Sequence, residues 1–329
     1  LRWYAEAYVL RASHLNKALC CISGSRNNMD EFTWLKTKLG HNKEITDLHE
    51  ISSTPFGKVV RVRSGDELFY FKTDDLLRFE AEKTEFVSRR FCRKTPDFID
   101  YCREKSWFLV RGAGSEVLHA SLRSDWRNAI VELANFHKAK VKTTDFEVLP
   151  IFEFDTSVWY DFVKSSQHLT YWGLTEQEQA DLNSISNRLT SYIDVLSKSQ
   201  LKPKICHGDA HARNVLVDQH GHINWFDWSS AHLGNPLGDL GFFLWWLTPD
   251  RTKIGIGVEL GLDDLESLSH SYQTQLFGRV KYDNLKCLMS FGLAYRAMLY
   301  HKIYYPVKDF KPFYVAYTLK QLLKLSATT

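Results

Sequence analysis

The chain has 329 residues, 44% hydrophobic and 14% aromatic, with a formal net charge of +3. That apolar content excludes a disordered chain, and a charge so near neutral excludes the broad basic surface that holds nucleic acid. Its longest strongly apolar run, Leu240 to Leu247, is far too short to span a bilayer, so no membrane partner is expected.

Residues 1–44 read as an N-terminal helical extension, with Trp34, Leu35 and Leu39 at helical spacing before Gly40. Arg11, His14 and Lys17 interrupt its start, a pattern unlike a signal peptide. From 45 to 112 the pattern turns to strands. Ile45 to Ile51 and Lys58 to Arg63 are joined by the polar stretch Ser52 to Gly57, and Glu67 to Lys72 follows the turn Ser64-Gly65-Asp66. The helix expected over Leu77 to Val87 sets Phe79, Phe86 and Val87 on one face, with Glu82 among them. Trp107 to Val110 is a further strand, running into Arg111-Gly112-Ala113-Gly114. Residues 113–329 form a third block, mostly helical after Leu240. The six cysteines (Cys20, Cys21, Cys92, Cys102, Cys206, Cys287) make no CxxC pair, which fits a reducing compartment, and the expected location is the cytoplasm.

The densest chemistry lies in ICHGDAHARNVLVDQHGHINWFDWSSAHLGNPLGDL, residues 205–240. Gly208 permits a tight turn between His207 and Asp209. Val215-Leu216-Val217 and Ile223-Asn224-Trp225-Phe226 flank the polar, Gly-ended segment Asp218 to Gly221, the pattern of a hairpin. That hairpin would return Asp227 to the side of Asn214 and Asp209, from which it is 13 and 18 residues distant in sequence. One carboxylate to orient a hydroxyl, with two hard oxygen ligands for Mg²⁺, is what phosphoryl transfer requires. A rival pattern shares the stretch: His207, Asp209 and His211 alternate along an extended segment, as in a hydrolytic metal site.

The segment resembles the catalytic motif of the aminoglycoside phosphotransferase and choline kinase superfamily, HGDxHxxN, then a strand-end Asp, then GxPxxDL. Here these are His207 to Asn214, then Asp227-Trp228, then Gly234-Asn235-Pro236-Leu237-Gly238-Asp239-Leu240. The resemblance implies a two-lobe, protein-kinase-like α+β fold with a β-rich N-lobe at 45–112 and a helical C-lobe at 113–329. It also implies an ATP-dependent small-molecule kinase, with GTP as the alternative donor. Asp209 would be the catalytic Asp, Asn214 and Asp227 the Mg²⁺ ligands, and Asp239 and His207 structural supports. Lys72 would meet the phosphates and pair with Glu82, with Glu80 and Glu85 as alternatives. Val110, Arg111 and Gly112 would be the hinge that holds adenine. Only 12 residues separate Asp227 from Asp239, and DFG, HRD and APE are absent, which disfavours a peptide acceptor. The remaining alternatives are the metal-dependent hydrolase and a non-catalytic nucleotide-binding relative.

The acceptor is left open among aminoglycosides, other hydroxylated antibiotics, amino alcohols and sugars. Glu259, Asp263, Asp264 and Glu266 are candidates to receive a polycation. Trp159, Tyr160, Trp172, Trp245 and Trp246 are candidates for an aromatic cage, and Lys302, Lys308 and Lys311 form an opposing basic group. No protein partner is indicated.

Overall fold

The computed structural model describes residues 30–40, 44–74, 76, 79–114, 116–117, 123–197, 202–248, 260–307 and 313–327. Residues 1–29 of the expected extension, and Glu259, Lys308 and Lys311 among the acceptor candidates, lie outside them.

Helix α1 (Glu31–Leu39) starts at Asp30, whose carboxylate accepts the Thr33 N–H at 2.8 Å. Lys36 and Lys38 lie in its last turn, where the helix dipole favours cations. Five antiparallel strands follow: β1 (Ile45–Thr54), β2 (Gly57–Ser64), β3 (Glu67–Thr73), β4 (Phe98–Cys102) and β5 (Trp107–Arg111). Their spatial order is β1-β2-β3-β5-β4, with α2 (Glu80–Arg90) between β3 and β4 in the chain. Alternation along β3 sends Phe69 and Phe71 to one face, where they bury with Val62, Leu109 and the Trp34, Leu35 and Leu39 face of α1. Thus α1 completes the core of the sheet lobe rather than standing ahead of it. On a second core, Ala81 of α2 meets Phe108 and Val110 of β5.

The rest of the chain comprises β6 (Glu116–Val117), α3 (Arg123–Lys138), α4 (Thr156–Lys164), α5 (Ser166–Tyr171) and α6 (Glu176–Ser197). After these come β7 (Lys204–Cys206), β8 (Val215–Val217), β9 (Ile223–Trp225) and β10 (His232–Gly234). Helices α7 (Pro236–Trp246), α8 (Leu262–Phe277), α9 (Leu285–Tyr304) and α10 (Tyr314–Ala327) finish the lobe. The predicted hairpin is present as β8 and β9, with Val215 opposite Trp225 and Val217 opposite Ile223. Asp218 accepts the His220 and His222 N–H groups at 2.8 and 2.9 Å and closes its turn.

Helix α7 is buried on every side, which explains its near-total lack of polar residues. Asn235 caps it through the Leu237 N–H at 3.0 Å, and Pro236 occupies the first turn, where its missing donor costs nothing. It crosses α9 at two glycines. A Cβ on Gly241 would collide with the Leu288 carbonyl, and one on Gly292 with the Phe242 N–H. This close crossing brings α9 side chains to the loop after β7. The architecture is the expected sheet lobe joined to a helical lobe. No helix of the described residues is long and apolar enough to cross a membrane.

Candidate active site

The strand β7 delivers His207, Gly208 and Asp209 into a loop braced from α7. Gly208 has φ +78°, and a Cβ there would strike the Ser230 carbonyl, so glycine alone fits. Both oxygens of Asp239 are spent on this loop: one accepts the His207 N–H at 2.6 Å, the other the Gly208 N–H at 2.9 Å. The first of these also faces His137 Nε2 at 3.1 Å, while His137 Nδ1 meets the Tyr272 hydroxyl at 2.6 Å. Burial pushes the Asp239 carboxyl up, but His137 beside it more than offsets this and holds it down at about 2. His207 is fully buried; its Nε2 donates to the Phe226 carbonyl at 2.9 Å and its Nδ1 accepts the Asp209 N–H at 3.2 Å. Both residues therefore support the loop.

Asp209 is held from α9 and from its own loop. Arg296 of α9 forms an ion pair with it and also donates to the Gly208 carbonyl. The Tyr300 hydroxyl donates to Oδ2 at 3.2 Å, and His211 Nε2 lies 3.4 Å from Oδ1. Burial lowers His211 to about 4, so it is neutral near pH 7. Neither Arg296 nor Tyr300 was expected from sequence. The available signal was a lone arginine inside the apolar stretch Phe291 to Tyr300, since a buried guanidinium must find an acceptor.

Asn214 donates its Nδ2 to the Asp209 carbonyl at 2.9 Å, which leaves its side-chain oxygen for other use. The Phe226 N–H pairs with the Asn214 carbonyl at 3.1 Å, so the two strand ends lie side by side. Asp227 follows with φ +62° and ψ +66°, a sparsely populated conformation for a non-glycine residue. The Ser229 hydroxyl donates to Asp227 Oδ1 at 3.0 Å. Burial opposes its charge, but Lys72 holds its carboxyl below the usual range. Asp227 and the free Asn214 oxygen form a hard-oxygen donor pair beside Asp209, a set that fits Mg²⁺.

Lys72 reaches this group from β3. Its ammonium pairs with Glu80 and lies 3.9 Å from Asp227. Burial opposes the charge, but Asp227 and Glu80 together raise Lys72 above its ordinary value. The expected partner Glu82 is corrected: it turns outward and pairs with Arg103 at 2.9 Å, while Glu85 pairs with Arg89 at 2.6 Å. The reason is where the helix starts. Asp74 accepts the Phe79 and Glu80 N–H groups at 2.6 and 2.9 Å, so Phe79 stands before the first turn and Glu80 leads the buried face with Thr84 and Val87. Buried Lys83, also unforeseen, donates to the Ser229 carbonyl at 2.7 Å; burial pulls it down to about 8.

Lys72, Glu80, Asp209, Asn214 and Asp227 all line one cavity of about 670 Å³ between the lobes, as do Ser52 and Thr54 of β1 and Gly57 of β2. Val110, Arg111 and Gly112 are not among its lining residues. The Arg111 N–H is spent on the Asp97 carbonyl and that of Gly112 on the Leu68 carbonyl, so neither of these two donors is open to a base there. The His207-Asp209-His211 metal pattern also fails, because both His207 ring nitrogens are occupied in the buried loop. Among the described residues, the tight group of potential metal ligands is His137, Cys206 and Asp239, and it is buried within the hydrogen-bond network just described.

Residues 72–268, more than half of the chain, match the model of the APH phosphotransferase enzyme family. No curated protein matches the sequence significantly. Solved structures do match in shape. APH(2")-IIia in complex with GDP and kanamycin is 16% identical, with a TM-score of 0.62 over 91% of this chain and 98% of that one. The spectinomycin phosphotransferase APH(9)-Ia in complex with ADP and spectinomycin is 14% identical, with a TM-score of 0.60 over 92% and 99%. The choline kinase LicA from Streptococcus pneumoniae is 11% identical, with a TM-score of 0.60 over 91% and 99%. At such identities these likenesses establish the two-lobe kinase-like fold. With the family match they make the chain a member of the APH phosphotransferase enzyme family, a small-molecule kinase.

Proposed function

We infer that the protein moves the γ-phosphate of ATP, or of GTP, onto a hydroxyl of a small molecule bound beside Asp209. The observation that carries this reading is the convergence of Lys72, Asp209, Asn214 and Asp227 on one cavity, with Lys72 bridging Glu80 and Asp227. Lys72 would meet the phosphates and neutralise their charge. Asn214 and Asp227 would hold Mg²⁺, which when bound supplies further neutralisation of the phosphate oxygens. Asp209, fixed by Arg296 and Tyr300, would accept a hydrogen bond from the acceptor hydroxyl and aim its oxygen at phosphorus. Because the transition state for phosphoryl transfer is loose, this aim counts for more than basicity.

Supporting the nucleotide assignment, neighbours of the same fold were crystallised with ADP or GDP. Their acceptors, spectinomycin and kanamycin, together with choline, define the first compounds to screen. The test follows ATP and GTP consumption with Mg²⁺ over such a panel and identifies products by mass. Phosphorylated product from the native enzyme and none from Asp209→Asn is the expected result. Equal turnover by Asp209→Asn would sink the mechanism, and nucleotide binding without consumption across the panel, once widened to sugars, amino alcohols and neutral and acidic hydroxy compounds, would favour the non-catalytic relative.

A further inference from the structure

The acceptor end of the cavity is walled by aromatic rings, among them Trp245 and Trp246 of α7, Tyr304 of α9, and Tyr314 and Tyr317 of α10. Phe56 from the β1–β2 turn closes over them, its ring 5.7 Å from that of Tyr304 and 6.0 Å from that of Tyr314. Flat walls of this kind take a flat apolar body.

The charges around those walls are distributed unlike a receptor for cations. Among the described residues four acids line the cavity, and each is held by the donor machinery. Asp74 caps α2, Glu80 pairs with Lys72, Asp209 pairs with Arg296, and Asp227 faces Lys72 and Ser229. The sequence candidates Asp263 and Glu266 edge a separate groove on α8 instead. Two arginines already sit on aromatic faces. Arg296 lies 3.6 Å over Tyr300 and 5.0 Å over Phe242, and Arg213 lies 5.7 Å over Trp246. A second cation would meet these guanidinium groups, so among the described residues neither a polyamine nor a quaternary ammonium finds a complementary field here. Arg213, exposed in the catalytic loop one residue before Asn214, borders the same cavity, and among the described residues no carboxylate pairs with it.

Resting on the kinase reading above, we propose that the acceptor is a hydroxy compound with a flat, apolar body and an anionic substituent. The hydroxyl lies at Asp209, the flat body lies between the rings, and the carboxylate or phosphate meets Arg213, whose planar fork suits either anion. In the transfer the acceptor oxygen forms the new bond to the γ-phosphorus. The bond from that phosphorus to the β,γ-bridging oxygen breaks, and its electron pair leaves with ADP. The hydroxyl proton passes to an Asp209 oxygen and then to solvent.

Three matched probes test the charge rule: para-(hydroxymethyl)benzoate, its neutral carboxamide, and para-(aminomethyl)benzyl alcohol. Each is offered with Mg-ATP, and kcat/KM is taken from ADP release with the product confirmed by mass. The anion is expected to exceed the cation by about tenfold or more, as one charge-assisted contact allows. Arg213→Glu is expected to reverse that order, and Arg213→Gln to flatten it. Where turnover of all three is too slow to measure, binding to the ADP-loaded protein by tryptophan fluorescence must follow the same order. A preference for the cation, for kanamycin or for choline would overturn the proposal, as would an order unmoved by either Arg213 variant. Failure of the kinase reading itself looks different: no compound, neither these three nor those of the wider panel, would be phosphorylated, whatever the order in which they bind.

Discussion

The two ends of the cavity are built on different principles. At the donor end every charged group has a partner: Lys72 with Glu80 and Asp227, Asp209 with Arg296, and Asp239 with the His207 and Gly208 N–H groups. At the acceptor end the described walls are mainly rings drawn from α7, α9 and α10, with the exposed Arg213 beside them. Fixed dipoles and charges suit chemistry that is the same in every turnover, because they need no rearrangement as charge develops. Apolar walls discriminate by shape and by the charges they reject. On the proposed reading the contrast assigns rate to the first end and selectivity to the second.

That division can be broken most forcefully at Asp227. Asp227→Ala should lower kcat by roughly a thousandfold for every acceptor alike, as removal of a preorganised electrostatic group does, while circular dichroism stays native. An effect confined to one acceptor would contradict the division. A second test concerns Asp239, which stabilises the donor loop without touching a substrate. Its carboxyl is depressed from an ordinary 3.8 to about 2, so its contribution is fully present above pH 3.8 and is lost as pH falls through 2. The corresponding stabilisation is about 2 kcal/mol. Asp239→Asn should therefore lower the urea midpoint at pH 7 and flatten the stability profile between pH 4 and 2. A profile as steep as the native one would assign that acid sensitivity elsewhere. The smallest effect sharpens the ion-pair assignment. Glu80→Gln should cost about tenfold in kcat, whereas Glu82→Gln should stay within about twofold because its pair with Arg103 is largely solvated. Equal losses from the two would return Glu82 to the site.

What could be read from sequence follows how far apart the cooperating residues lie. Asp209, Asn214 and Asp227 are joined by one short hairpin, so turn chemistry and strand pattern alone bring them together. Lys72 was legible for a similar reason, since period-two alternation in β3 fixes the face it occupies. Glu80 was not, because the phase of α2 depends on Asp74 capping it from before the first turn. Arg296 lies 87 residues beyond Asp209 and reaches it through the glycine-lined crossing of α7 and α9, a tertiary fact with no local sequence cue except an arginine in an apolar run. The hinge expected at Val110 to Gly112 gains no support for a related reason: strand pairing takes the N–H groups of Arg111 and Gly112. The helix at 31–39 was recognisable as a helix, but its place under the sheet depended on pairing with strands not yet assembled.

The contact from Lys83 to the Ser229 carbonyl has a mechanical consequence. It rivets the helix carrying Glu80 to the loop carrying Asp227, across the joint between the lobes. Swinging that helix away would break a hydrogen bond from a buried charged donor, at about 2 kcal/mol, which leaves the swung-out form at about one molecule in thirty. The toggling helix by which peptide-directed kinases are switched is thus pinned across the lobe joint here.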